Sequence, residues 1–173
     1  MPQWDARWLN PFVEKAFSVL ASFGLHAERD GALSVERADE TTDPVTVIVA
    51  VVGDLEGAVL YGLDASTAEA LAAAMIGDLP RVRWDHQLIE SALGEFGNMV
   101  TGQASIELET LGWRCTIAPP LIALEPRLIL SDHRFDRVVV PIRTSAGPMR
   151  IRLALRPRSA AGAAPEGDRG RGG

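Results

Sequence analysis

Cysteine is almost missing from this 173-residue chain: Cys115 stands alone. A disulfide scaffold is thereby excluded, since no second thiol exists to pair with it. Lysine is nearly missing too. Of 17 basic residues only Lys15 is a lysine, and it falls among helix-surface positions, which leaves no candidate catalytic lysine. No apolar run reaches membrane length. Val45–Val52 is interrupted by Thr46 and falls far short of the ~20 residues a spanning helix needs. The opening MPQWDARW has no apolar signal core, so a cytoplasmic, reducing location is expected and no membrane association. The three histidines, His26, His86 and His133, are scattered without ligand spacing, and no metal of its own is expected. Clustered cations are absent before the C-terminal tail, so nucleic acid is not an expected partner.

What is present points to a folded protein. Hydrophobic residues make up 47% and the net charge is −6, a balance too apolar for a wholly disordered chain. About 150 residues can bury roughly 70% of their unfolded surface, so the core needs no covalent staple. The stretch from Ser159, SAAGAAPEGDRGRGG, has no large apolar side chain to offset its ordering entropy. Residues 158–173 are therefore expected to be a disordered tail, with Arg169 and Arg171 solvated, and residues 1–157 to form a single domain.

Local signals divide that domain. A helix is expected from Asn10-Pro11, an N-cap and first-turn pair, carrying Phe12, Ala16, Val19, Leu20 and Phe23 at helical spacing until Gly24. His26–Arg37 reads as two short strands about Gly31. The β-branched run Val45–Val52 suits a central strand, turned by Gly53–Gly57 into a second strand, Ala58–Leu63. A helix from Asp64 or Ser66 to Ile76 follows, then a linker, Asp78–Arg83, and one long helix, Asp85–Leu111, closed by Gly112. Strands are expected at Arg114–Ile117, Leu121–Leu124, Leu128–Leu130, Arg137–Thr144 and Met149–Leu155. The hairpins VIVAVVGDLEGAVLYGL and VVVPIRTSAGPMRIRLAL match in order, and each follows a helix ending in Gly. A duplicated helix-plus-hairpin unit is the expected plan.

The long helix carries the most information. Leu88, Ile89, Ala92, Leu93, Phe96, Met99, Val100 and Ile106 make a broad apolar side, expected to face a core. With Ser91 at zero and about 100° per residue, Glu95 lies near +40° and Asn98 near −20°. The two share a narrow polar strip, one turn apart, flanked by Gly94, Gly97 and Gly102. Three glycines cost a helix roughly 2–3 kcal/mol relative to alanine. Gly97 points away from the strip, which suits packing on the sheet; Gly94 and Gly102 lie nearer and suit close approach of another surface. Spacing alone leaves the strip readable as an ordinary solvated face.

The order Ser91, Glu95 four residues on, and Asn98 three further resembles the signature helix of the CheC/CheX/FliY chemotaxis phosphatases. Pro119 or Pro120 stands close to the proline that follows in that signature. The Asn10-Pro11-Phe12 opening and both hairpins are similar to the CheX branch, over residues 9–157. The first helix offers Glu14-Lys15-Ala16-Phe17, with Phe where Asn would be needed, so one intact site is expected. The resemblance implies an α+β, CheC-like fold: duplicated helix-plus-hairpin units, a mainly antiparallel central sheet and long helices packed on one face. It implies a phosphatase acting on the aspartyl phosphate of a CheY-like receiver in chemotaxis or related two-component signalling, with Glu95 and Asn98 as its catalytic residues. Asn98 would hold the attacking water and Glu95 would pair with a cation of the receiver. The receiver would bring Mg2+, the protein needing no cofactor of its own, and a homodimer is expected. The alternative is a non-catalytic adaptor on the same scaffold, like the flagellar-switch middle domains. The adjacent Ser131, Asp132 and His133 cannot assume the geometry of a nucleophilic triad.

Overall fold

The computed structural model describes residues 4–37, 41, 43–77, 85–126 and 136–158. The elements in chain order are α1 (Ala6–Ser22), β1 (Ala27–Arg29), β2 (Ser34–Glu36), β3 (Val45–Gly53), β4 (Leu55–Leu63), α2 (Ala65–Ile76), α3 (His86–Thr110), β5 (Cys115–Ile117), β6 (Leu121–Ala123), β7 (Arg137–Thr144) and β8 (Gly147–Pro157). The eight strands form one sheet in the order β1-β7-β8-β4-β3-β5, with β2 also on β7 and β6 also on β3. The described pairings are antiparallel. The fold is therefore α+β, as expected.

Strand alternation splits the sheet into two faces. Val47, Val49 and Val51 of β3, Val59 and Tyr61 of β4, and Ile151 and Leu153 of β8 join Phe12, Val19, Leu71, Leu93, Phe96 and Val100 of the helices in one core. The intervening residues Ile48, Ala58 and Leu60 form a small second cluster. Beside them the second face carries charge. The Arg152 guanidinium donates to Glu36 Oε1 at 2.6 Å and also to Asp43 Oδ2, while Arg150 donates to Asp43 Oδ1 at 2.8 Å. A Cβ on Gly62 would strike the Asp43 carboxylate, so this ion network sits flush on a glycine.

Several boundaries differ from expectation. The first helix starts at Ala6, four residues before Asn10, with Asp5 as its cap accepting from Arg7 N at 2.9 Å. Pro11 lies inside the helix, where a missing N–H and a ring clash cost about 3 kcal/mol. Burial of Trp8 and Leu9 against the core, at 1% and 9% exposure, offsets that cost. The β3–β4 turn is tighter than Gly53–Gly57: β3 runs through Gly53 and β4 resumes at Leu55. Gly57 lies within β4 at φ 136°, where a side chain would run into the Ala154 carbonyl of β8. The last hairpin turns at Ser145-Ala146, where Thr144 Oγ1 accepts from the N–H groups of Ala146 and Gly147 at 3.1 Å each. β3 is flanked on both sides, but the middle of the sheet is the β4–β8 pair. Ile106, assigned to the core side of the long helix, is instead 67% exposed.

Leu128–Leu130, the whole Asp78–Arg83 linker with Pro80, the tail from Ser159 and the Ser131-Asp132-His133 triplet lie outside the described residues. So does His133, and so do Arg169 and Arg171.

Candidate functional site

The helix that carries the polar strip is fixed from behind. Leu93, Phe96, Val100, Ala104 and Leu108 are fully buried along its core side. The Phe96 ring meets Tyr61 of β4 edge-on, with centroids 5.6 Å apart. The Tyr61 hydroxyl and Thr101 Oγ1 hydrogen-bond at 2.7 Å. Burial pushes the Tyr61 phenol well above its usual value, so this anchor stays neutral. Lys15 is no free nucleophile: its ammonium lies 2.9 Å from Glu107 and ties α1 to α3. Asp85 caps α3 by accepting from Gln87 N at 3.1 Å.

Gly97 sets how close α3 lies to the sheet. A Cβ there would fall 2.6 Å from Val47 Cγ1 and 3.2 Å from Val49 Cγ2. The expectation that Gly97 serves packing holds. Gly94 and Gly102 differ from expectation, because the surface near them is the chain's own β5–β6 stretch. Their Cβ atoms would lie 3.6 Å from Pro120 Cγ and 3.7 Å from Ile117 Cδ1, ordinary contact distances. Opposite signs follow. Gly97→Ala is expected to destabilise by about 1–2 kcal/mol, overpacking outweighing the gain in helix propensity. Gly102→Ala is expected to stabilise by up to about 1 kcal/mol. Thermal unfolding of the two variants reads the difference; equal shifts would refute the packing argument.

Along the N-terminal half of α3, Gln87, Glu90, Ser91, Gly94, Glu95 and Asn98 line an open groove of ≈ 610 Å³, with Pro120 and Ile122 as its far wall. Glu95 and Asn98 are exposed. Among the described residues neither side chain is held by another. The proline that wall uses is Pro120. Gln87, Glu90 and Ile122 were not singled out from the sequence. For Glu90 a signal existed: its bearing on the helix is that of Leu108, eighteen residues and five turns later.

The groove's described lining includes two carboxylates, two amides and one hydroxyl, and among the described residues no Lys, Arg or His. Among the described residues no group of three His, Cys, Asp or Glu could hold a metal ion. Cys115 lies elsewhere, beside Leu55, and burial pushes its thiol up, away from the reactive thiolate. Among the described residues no helix is long and apolar enough to cross a membrane.

The family model for the chemotaxis phosphatase CheX matches residues 45–143, which takes in β3 through most of β7 and the whole groove. The chain belongs to the chemotaxis phosphatase CheX family. It is 28% identical over 118 residues to the CheY-P phosphatase CheX of Thermotoga maritima, covering 68% of this chain and 76% of that protein. Its fold is that of the chemotaxis protein CheX of Desulfovibrio desulfuricans (TM-score 0.74, 23% identity, 87% of this chain and 99% of that one). It is also that of a chain in the CheX–CheY–BeF3–Mg2+ complex of Borrelia burgdorferi (TM-score 0.70, 23% identity, 88% and 99%). The order of helix and hairpins expected from the sequence is thus the order of the CheX fold.

Proposed function

We propose that this protein hydrolyses the aspartyl phosphate of a CheY-like receiver in chemotaxis signalling, with Asn98 and Glu95 as the groups it contributes. The observation that carries the reading is the groove itself. It places a neutral amide and a carboxylate side by side, open to solvent, in a member of the CheX family. Among the described residues it offers a phosphoryl group no cation. Carboxylates in such a lining repel a free phosphate ester, and the reading has the positive charge arrive with the substrate. A receiver brings it, as a basic side chain near the phosphoaspartate and as its own Mg2+, which supplies neutralisation of the phosphoryl oxygens.

The chemistry left to this chain is positioning. Water attacks phosphorus in line, the P–O bond to the aspartyl carboxylate breaks, and that carboxylate leaves with the electron pair. The Asn98 carbonyl accepts a hydrogen bond from the water and holds its oxygen toward phosphorus, as positioning amides do in GTPases. An amide takes no proton at neutral pH, so the proton leaves with inorganic phosphate. Glu95 pairs with the receiver's cation and fixes the docking register. The reading treats residues 1–157 as one domain of two pseudo-repeats, located in the cytoplasm, and takes the protein as a homodimer. Exposed Val35 on the edge strand β2 suits pairing with a second copy.

The test follows phosphate loss from a phosphorylated CheY-like receiver with Mg2+, with free acetyl phosphate as a second substrate. Accelerated loss from the receiver and none from acetyl phosphate are expected. Glu95→Ala should raise KM for the receiver about tenfold or more, through loss of one charge-assisted pair. Receiver binding without any acceleration would instead favour the adaptor reading.

A further inference from the structure

Glu90 stands on the wrong side of its helix for a solvated residue. Gly97 follows it by seven residues, Thr101 by eleven and Leu108 by eighteen. At about 100° per residue all three return to within roughly 20° of its bearing. All three are buried, Thr101 and Leu108 completely, and Gly97 lies flush on Val47 and Val49. At Glu90 that bearing is exposed among the described residues. The same face that is packed two turns later is open there, and it looks into the groove walled by Pro120 and Ile122. The carboxylate is exposed, and among the described residues no cation pairs with it.

The groove is also longer than its chemistry requires. From Gln87 to Asn98 the lining spans eleven helical steps of α3, about 16 Å at 1.5 Å per residue. On the phosphatase reading, a water and a phosphoryl group take up only the Asn98 end. Glu90 lies about 12 Å along the axis from Asn98, beyond the reach of the reacting atoms. Its bearing differs from that of Glu95 by about 140°, so the two carboxylates flank the groove from different sides. A cation paired to one is not shared with the other.

We infer that Glu90 is a second docking residue, which accepts a lysine or arginine of the receiver distinct from the one paired with Glu95 and thereby selects among receivers. The inference rests on the phosphatase reading and deepens it. Glu90 positions the partner and does not touch the phosphoryl group. The apolar wall opposite, Pro120 and Ile122, lets the aliphatic stem of such a side chain lie along it while the charged head meets the carboxylate.

The experiment measures steady-state dephosphorylation of CheY-like receivers charged with phosphoramidate, at 50 and 300 mM NaCl, for wild type, Glu90→Asp, Glu90→Gln and Glu90→Lys. Glu90→Gln is expected to raise KM about tenfold, with kcat within about twofold. Glu90→Lys should raise KM further, and both should lose much of the wild type's salt dependence. Glu90→Asp should recover part of the lost affinity. A wild-type KM and salt dependence in both Glu90→Gln and Glu90→Lys overturns the inference, as does a fall in kcat at unchanged KM. An inactive wild type overturns the phosphatase reading itself, a result distinct from either.

Discussion

Asn98→Ala is expected to slow phosphate loss from the receiver at saturation by about a hundredfold or more, while leaving affinity for the phosphorylated receiver within about twofold. The magnitude is that of removing one preorganised polar group aimed at the reacting atoms, about 10²–10³ in rate. The selectivity for rate over binding follows from where Asn98 sits. It is exposed in an open groove, and no described neighbour depends on it for a hydrogen bond. Its loss removes no packing and unfolds nothing. In the free protein a water at this position is one of many; in the complex it is the nucleophile, and only there does holding it lower the barrier. Asn98→Asp sharpens the test. It keeps the size and an accepting oxygen but adds a third carboxylate beside Glu90 and Glu95, facing a phosphoryl anion. It should also be slow, and it should bind more weakly than Asn98→Ala. Single-turnover release of phosphate at several enzyme concentrations separates rate from affinity. An Asn98→Ala variant that turns over like wild type would refute the water-holding role.

Asp43→Ala is the substitution expected to cost most in stability, about 3–5 kcal/mol. The Asp43 side chain is 4% exposed and meets Arg152, itself 6% exposed, and Arg150. Removing one partner of a buried ion pair leaves the other charge desolvated with less compensation, which is why the loss exceeds that of a surface pair. Glu36 remains bonded to Arg152, so part of the network survives and the loss stays within that range. At about 2–4 °C per kcal/mol for a chain of this size, the melting temperature should fall by roughly 10 °C. The network lies across the sheet from α3, so the fraction that stays folded should keep a normal kcat. Thermal unfolding followed by circular dichroism, with an activity assay well below the transition, checks both parts. A shift of a degree or two would show that the network adds little.

Most of the secondary structure was legible because its signals are local. Gly24, Gly77 and Gly112 end helices at positive φ, where a residue without a Cβ is favoured. The run at Val45 has no competing helical period. Where the reading slipped, tertiary burial had outweighed a local signal. Asn10-Pro11 carries every mark of a helix start, yet the helix begins four residues earlier because Trp8 and Leu9 find a core to enter. Ile106 carries the mark of a core residue and faces outward, because no described element covers that side of α3. The strip of Glu95 and Asn98 was legible for a similar reason: helix geometry relates positions three apart without reference to the rest of the fold.

By itself, then, the sequence determined the helices, the two hairpins, the pairing of Glu95 with Asn98 on one face, and the absence of a disulfide. Each follows from backbone geometry and residue chemistry within a few turns of chain. Only the tertiary structure decided that Pro120 and Ile122 wall the strip into a groove, and that Gly97 rather than Gly94 or Gly102 is the close contact with the sheet. It also decided that Glu90 opens into that groove instead of onto a core. These depend on where β3 and β6 lie against α3. That is set by long-range pairing and side-chain volume, which no local pattern encodes.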